Sequence, residues 1–77
     1  MTPEQCRAGR ALANISQEAL AANAKVGLST VRNFEARRSM PVQNNLDAMV
    51  RALEAAGVVF LADGESIEGG PGVRLRK

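Results

Sequence analysis

Apolar residues recur at helical spacing along the first three quarters of the chain and alternate with polar ones near its end. Thr2-Pro3-Glu4-Gln5 reads as a helix start: Thr2 as N-cap, Pro3 at the first helical position and Gln5 closing a capping box. The helix is predicted to run to about Ala13, with Cys6, Gly9, Leu12 and Ala13 on its apolar face. Asn14, which tolerates a left-handed backbone, ends it. Ser16 caps a second helix, with Glu18 near its positive end. Ala19, Leu20, Ala22 and Ala24 keep that helix slim enough for another to approach closely, and Val26-Gly27 interrupts the pattern. A third helix is predicted from about Leu28 to Ala36, opened by Gly27 or Ser29. Val31 and Phe34, at i and i+3, point inward and leave Ser29, Thr30, Arg32 and Asn33 outside. Arg37-Arg38-Ser39 follows as a basic loop that Pro41 ends. A fourth helix is predicted from Val42 or Asn45 to Ala56, with Leu46, Met49, Val50 and Leu53 as its stripe and Gly57 as its stop.

The period then changes. Val58-Val59-Phe60-Leu61 is a short β-type run, Asp63-Gly64 a turn signal, and Gly69-Gly70-Pro71-Gly72 a breaker. Val73-Arg74-Leu75-Arg76 alternates apolar and basic. The predicted fold is mainly α, four helices with a short C-terminal β-hairpin. A lone hairpin is marginal in water, so it needs the helical core or a second chain to pack on.

Seventy-seven residues make one domain with a small core. One cysteine, Cys6, excludes an internal disulfide and fits a reducing compartment, where it reads as a small buried apolar residue. With no leader-like start and no membrane-length apolar run, the chain reads as cytoplasmic, with no role at a membrane. There is no His, no metal-spaced cysteine set and no phosphate-binding glycine loop, so no metal, cofactor or catalysis is expected. The net charge of +2 is unevenly placed. Residues 1–40 hold six Lys and Arg against three Glu, a balance of +3; residues 41–77 hold four against five acids, a balance of −1. A basic bias of this kind is an electrostatic footprint for phosphate.

Ser16 to Glu35 is therefore a short capped helix, a tight turn and a second short helix with a hydrogen-bonding outer face. That is helix-turn-helix geometry. Ile15, Ser16, Gln17, Glu18, Leu20, Ala21, Ala24, Val26, Ser29, Thr30, Val31 and Glu35 resemble the motif of the phage-repressor and Cro-like (XRE) family, over roughly residues 3–56. The resemblance implies a DNA-binding unit over residues 1–57, with 58–77 as a dimerisation extension of the same domain. It implies that Leu28, Ser29, Thr30, Arg32 and Asn33 face the bases, where Arg32 suits guanine, Asn33 adenine and Leu28 a thymine methyl. It assigns the DNA backbone to Gln17, Arg37 and Arg38 and pairs Arg10 with Glu35 as a structural ion pair. Beside the resemblance, the charge of Lys25 suits a phosphate, and Gln43 and Asn44 at the start of the fourth helix are further expected backbone contacts. Lys25 departs from the family, which usually has Gly there. Either Lys25 is left-handed, or Gly27 takes the unusual conformation and the turn is reshaped.

Family members usually bind near-palindromic operators as two-fold dimers. The implied protein is a homodimeric repressor of a promoter, its own included, bound to double-stranded DNA. Val58, Phe60, Val73 and Leu75, with Met49 and Leu53, are the expected dimer interface. The competing reading is a protein-interaction module, an antitoxin or the target of an antiactivator, whose hairpin binds a regulatory protein by strand addition. Single-stranded RNA binding is disfavoured, because only Phe34 and Phe60 can stack and both read as buried.

Overall fold

Thr2 begins the first helix as its sequence predicts. In the computed structural model, which describes residues 1–61 and 72–76, the Thr2 hydroxyl accepts from the Gln5 amide at 3.0 Å. The Gln5 Oε1 accepts from the Thr2 amide at 2.8 Å. This reciprocal cap satisfies two amides that the first turn leaves without partners. Among the described residues the order is α1 (Pro3–Ala13), α2 (Gln17–Ala24), α3 (Leu28–Glu35), α4 (Gln43–Ala55), β1 (Val58–Leu61) and β2 (Gly72–Leu75). The chain is mainly α, with an antiparallel hairpin that pairs Val58 with Leu75 and Phe60 with Val73. The predicted turn at Asp63-Gly64 and the breaker at Gly69-Gly70-Pro71 lie outside the described residues.

Among the described residues, three of the four helices close alike. The residue after α1 and α2, and the second residue after α3, turns left-handed, and its amide and the next one bond back to the last turn, a Schellman closure. The left-handed residues are Asn14 (φ 58°), Lys25 (φ 59°) and Arg37 (φ 60°). Gly57, at φ 99°, follows α4. Lys25 thus resolves the two turn geometries open from sequence, since Gly27 is extended at φ −67° and is the N-cap of α3. A non-glycine left-handed residue other than Asn or Asp costs about 1 kcal/mol, partly offset by the greater chain entropy of Gly. Lys25→Gly is expected to raise stability by about 0.5–1 kcal/mol, a rise in Tm of about 2–8 °C. Thermal denaturation followed by circular dichroism checks it; an unchanged or lower Tm refutes the strain.

Phe34, Leu20, Met49, Leu53, Val31, Val58 and Cys6 form the centre of the core. The small Ala21 and Ala24 let α2 lie against α3 and α4. Gly9 does the same for α1: a Cβ there would lie 3.3 Å from Val58 Cγ1 and 3.7 Å from Leu53 Cδ1. Two positions on the predicted stripes differ. Leu12 lies at the edge of the α1 face and is 41% exposed; the neighbours of α1 meet it at Cys6 through Glu35 and at Gly9 through Leu53 and Val58. Val50 is half-buried and outside the core, which α4 reaches through Met49 and Leu53.

The hairpin lies on α1. Phe60 and Val73 pack against the helical core, and the Gln5 side-chain amide donates to the carbonyls of Leu61 and Gly72, each at 3.1 Å. The Arg76 amide closes the opposite end on the Gly57 carbonyl at 2.7 Å. Gln5, buried and polar, thus joins the start of α1 to one end of the hairpin. No described helix is long and apolar enough to cross a membrane.

Candidate nucleic-acid interface

One face of α3 is fixed by what it buries. Val31, Phe34 and Glu35 are inside. At 100° per residue this turns Ser29, Arg32 and Asn33 to the opposite side. Ser29 and Arg32 are exposed, Asn33 is partly so, and Leu28 and Thr30 flank them half-buried. Leu28 packs against the core at its edge. Ser29 does not cap the helix; it stands in the first turn after Gly27, and the N-terminus of α3 has no side-chain cap. Arg32, Lys25 and Arg38 are exposed and form no ion pair among the described residues.

The orientation of that face rests on Glu35, whose side chain is 3% exposed. The Arg10 fork donates to both carboxylate oxygens at 2.7 Å. The Cys6 thiol donates to Oε2 at 3.0 Å and the Gln17 side-chain amide to Oε1 at 3.1 Å. Arg10 also donates to the Ile15 carbonyl at 3.3 Å, and Arg7 to the Glu35 carbonyl. One carboxylate therefore ties α1, the turn before α2, the first residue of α2 and the end of α3. Burial pushes the Glu35 carboxyl up, but the hydrogen bonds from Arg10, Cys6 and Gln17 outweigh it and hold the pKa below the usual carboxylate range. The hydrogen bond to Glu35 raises the pKa of Arg10. Burial, then the bond to Glu35, pushes the Cys6 thiol up, which keeps it a neutral donor.

The structure thus brings Arg10, Glu35 and Gln17 together. It adds Cys6, which composition reads only as apolar packing. The signal for Cys6 is its spacing: it stands four residues before Arg10, on the same face of α1, and both reach one carboxylate. Arg37 has a different environment from Arg38. Its guanidinium donates to Glu4, Nε at 3.1 Å and Nη2 at 2.6 Å, and this hydrogen bond lowers the Glu4 pKa. At the start of α4, Gln43 donates to Asp47 one turn on at 2.8 Å, and Asn44 is exposed.

The expected dimer residues divide. Met49, Leu53 and Val58 are at most 1% exposed within their own chain, so they are removed from the interface set: they fill the protomer's core. Phe60 and Val73 are half-buried against that core, and Leu75 is 41% exposed.

A comparison with curated proteins gives no significant match. A protein-family model described as helix-turn-helix matches residues 7–56, more than half of the chain and all of α2, the turn and α3. With four helices among the described residues, the turn at Lys25 and an exposed polar face on α3, the chain belongs to the Cro-like helix-turn-helix (XRE) family of DNA-binding transcription regulators.

Proposed function

We propose that the protein is a homodimeric repressor that occupies a near-palindromic operator within a promoter, its own included. The observation that carries this reading is the outward set Ser29, Arg32 and Asn33, held on a helix whose other face is locked by Glu35. Arg32 offers the two parallel donors that suit guanine, and Asn33 the donor and acceptor that suit adenine. Leu28 and Thr30 reach the edges of the same groove. Lys25, Arg38, Gln17 and Asn44 are the phosphate-side contacts, with Gln43 beside them; such contacts set register and carry no sequence information. Contacts from one short helix read a short half-site, so a two-fold dimer with half-sites about one helical turn apart supplies the remaining specificity. Its interface lies at the hairpin, where Leu75 is exposed beside Phe60 and Val73.

The test is binding to duplex from around the protein's own coding region, with random duplex as competitor and salt varied. A specific complex that survives competitor and weakens steeply with salt supports the repressor. Binding that random duplex removes points instead to the interaction module. A monomer at micromolar concentration by light scattering sinks the dimer. Arg38→Ala is expected to weaken specific and random duplex alike and to flatten the salt slope by about 0.9; an unchanged slope removes Arg38 from the phosphate set.

A further inference from the structure

Lys25 and Arg37 are cations in the same left-handed backbone conformation, each the closing residue of a short helix. Their side chains differ in partner. Lys25 has none among the described residues, whereas Arg37 lays Nε and Nη2 along the Glu4 carboxylate. This fork is the donor pair that a phosphate group accepts. The backbone of Arg37 is pinned by its amide on the Phe34 carbonyl at 3.0 Å and by the Arg38 amide on the Asn33 carbonyl at 2.8 Å. That closure fixes the base of the side chain, which runs back to the first turn of α1. Arg7, on the next turn, donates to the Glu35 carbonyl and lies 3.7 Å from Glu4 through Nη2, so α1 presents Glu4 to Arg37 while fastened to the end of α3.

We infer that Glu4 is a positioning residue for DNA binding: it keeps the Arg37 guanidinium off the DNA backbone, so that Lys25 and Arg38 grip phosphate and Arg37 does not. The inference rests on the phosphate-contact reading above. Glu4 places its charge where a phosphate would meet the Arg37 fork, and so both occupies the donors and repels the competitor. The chain thereby limits its sequence-independent affinity without losing the fastening of α3 to α1. Both side chains are more than half exposed, so the pair opens and closes in water, and its competition with phosphate is measurable.

The experiment is the salt dependence of binding to a random-sequence duplex, for the wild type, Glu4→Gln, Arg37→Gly and the double variant. Glycine suits the left-handed position and keeps the helix closure; circular dichroism checks the fold. Arg37→Gly is expected to keep the wild-type slope. Glu4→Gln adds one phosphate contact and steepens the slope of log affinity against log salt by about 0.9. Between about 50 and 200 mM salt its affinity then falls about 3.5-fold more than that of the wild type. The double variant returns to the wild-type slope. A flatter slope for Arg37→Gly alone, with binding intact, shows Arg37 already on phosphate and overturns the role of Glu4. A double variant that keeps the steeper slope shows Glu4 acting by bulk charge or through Arg7, whose Nη2 lies 3.7 Å from it, and overturns the role of Glu4 toward Arg37 equally. A wild type that binds no duplex at low salt overturns the phosphate-contact reading itself, and this inference with it.

Discussion

Glu35→Ala is expected to cost about 3–5 kcal/mol, the usual penalty for removing one partner of a buried ion pair. The Arg10 guanidinium, the Cys6 thiol and the Gln17 amide all donate to this carboxylate; the thiol and the amide lose this acceptor, and Arg10 keeps only the Ile15 carbonyl. A chain of this length has about 4–12 kcal/mol of total stability. The variant therefore sits near the unfolding threshold, with Tm lower by at least about 12 °C. Removing both charges with apolar residues, Arg10→Met with Glu35→Leu, is expected to destabilise less than Glu35→Ala alone, because no buried charge is left unpaired. A double variant as unstable as the sum of the singles contradicts the coupling. The same group predicts an acid transition. The folded Glu35 pKa lies below its ordinary 4.5, so its contribution is fully present above about pH 4.5 and is lost as pH falls through the folded pKa. Glu35→Gln removes that part of the acid sensitivity, which chemical denaturation at pH 7 and pH 3 measures.

Local chemistry made the elements legible in the sequence. Thr2, Gln5 and Ser16 are capping residues at sites that only a helix start explains, and Val31 and Phe34 have the spacing that gives α3 its inside and outside. The four helices, the hairpin and the outward polar set follow from such short-range signals. Long-range partners were harder to read. Leu12 fits the apolar stripe of α1, yet its burial depends on which neighbour arrives, and among the described residues it stays 41% exposed. Met49, Leu53 and Val58 are apolar at positions equally suited to a core or an interface; all three are buried within the protomer, Leu53 and Val58 at the close approach to Gly9. Arg37 and Arg38 are adjacent and identical in type, so sequence gives them one role. A left-handed backbone at Arg37 and a carboxylate 33 positions earlier separate them. Gln5 reads as a cap, and its second function on the hairpin depends on carbonyls 56 and 67 positions away.

Arg32→Ala is expected to cost about 1–3 kcal/mol of binding on the operator, roughly 5- to 150-fold, and to relax the preference at one base pair. Binding to random duplex should change far less, because a base contact is absent there. Arg32→Lys should recover little of the loss, since an ammonium is a single point of charge and cannot reproduce two parallel donors. Arg32 is exposed and without an ion-pair partner among the described residues, so neither substitution should move stability by more than about 0.5 kcal/mol. This separates it from Glu35, three residues on: one side of α3 governs whether the protein folds, the other which sequence it holds. Operator and random-duplex titrations, run beside thermal melts of the same variants, read the two sides independently. Equal losses on operator and random duplex would make Arg32 a phosphate contact. A fall in Tm that matches the loss of binding would make it part of the fold. Unchanged stability with a loss confined to the operator leaves base readout as the account of Arg32.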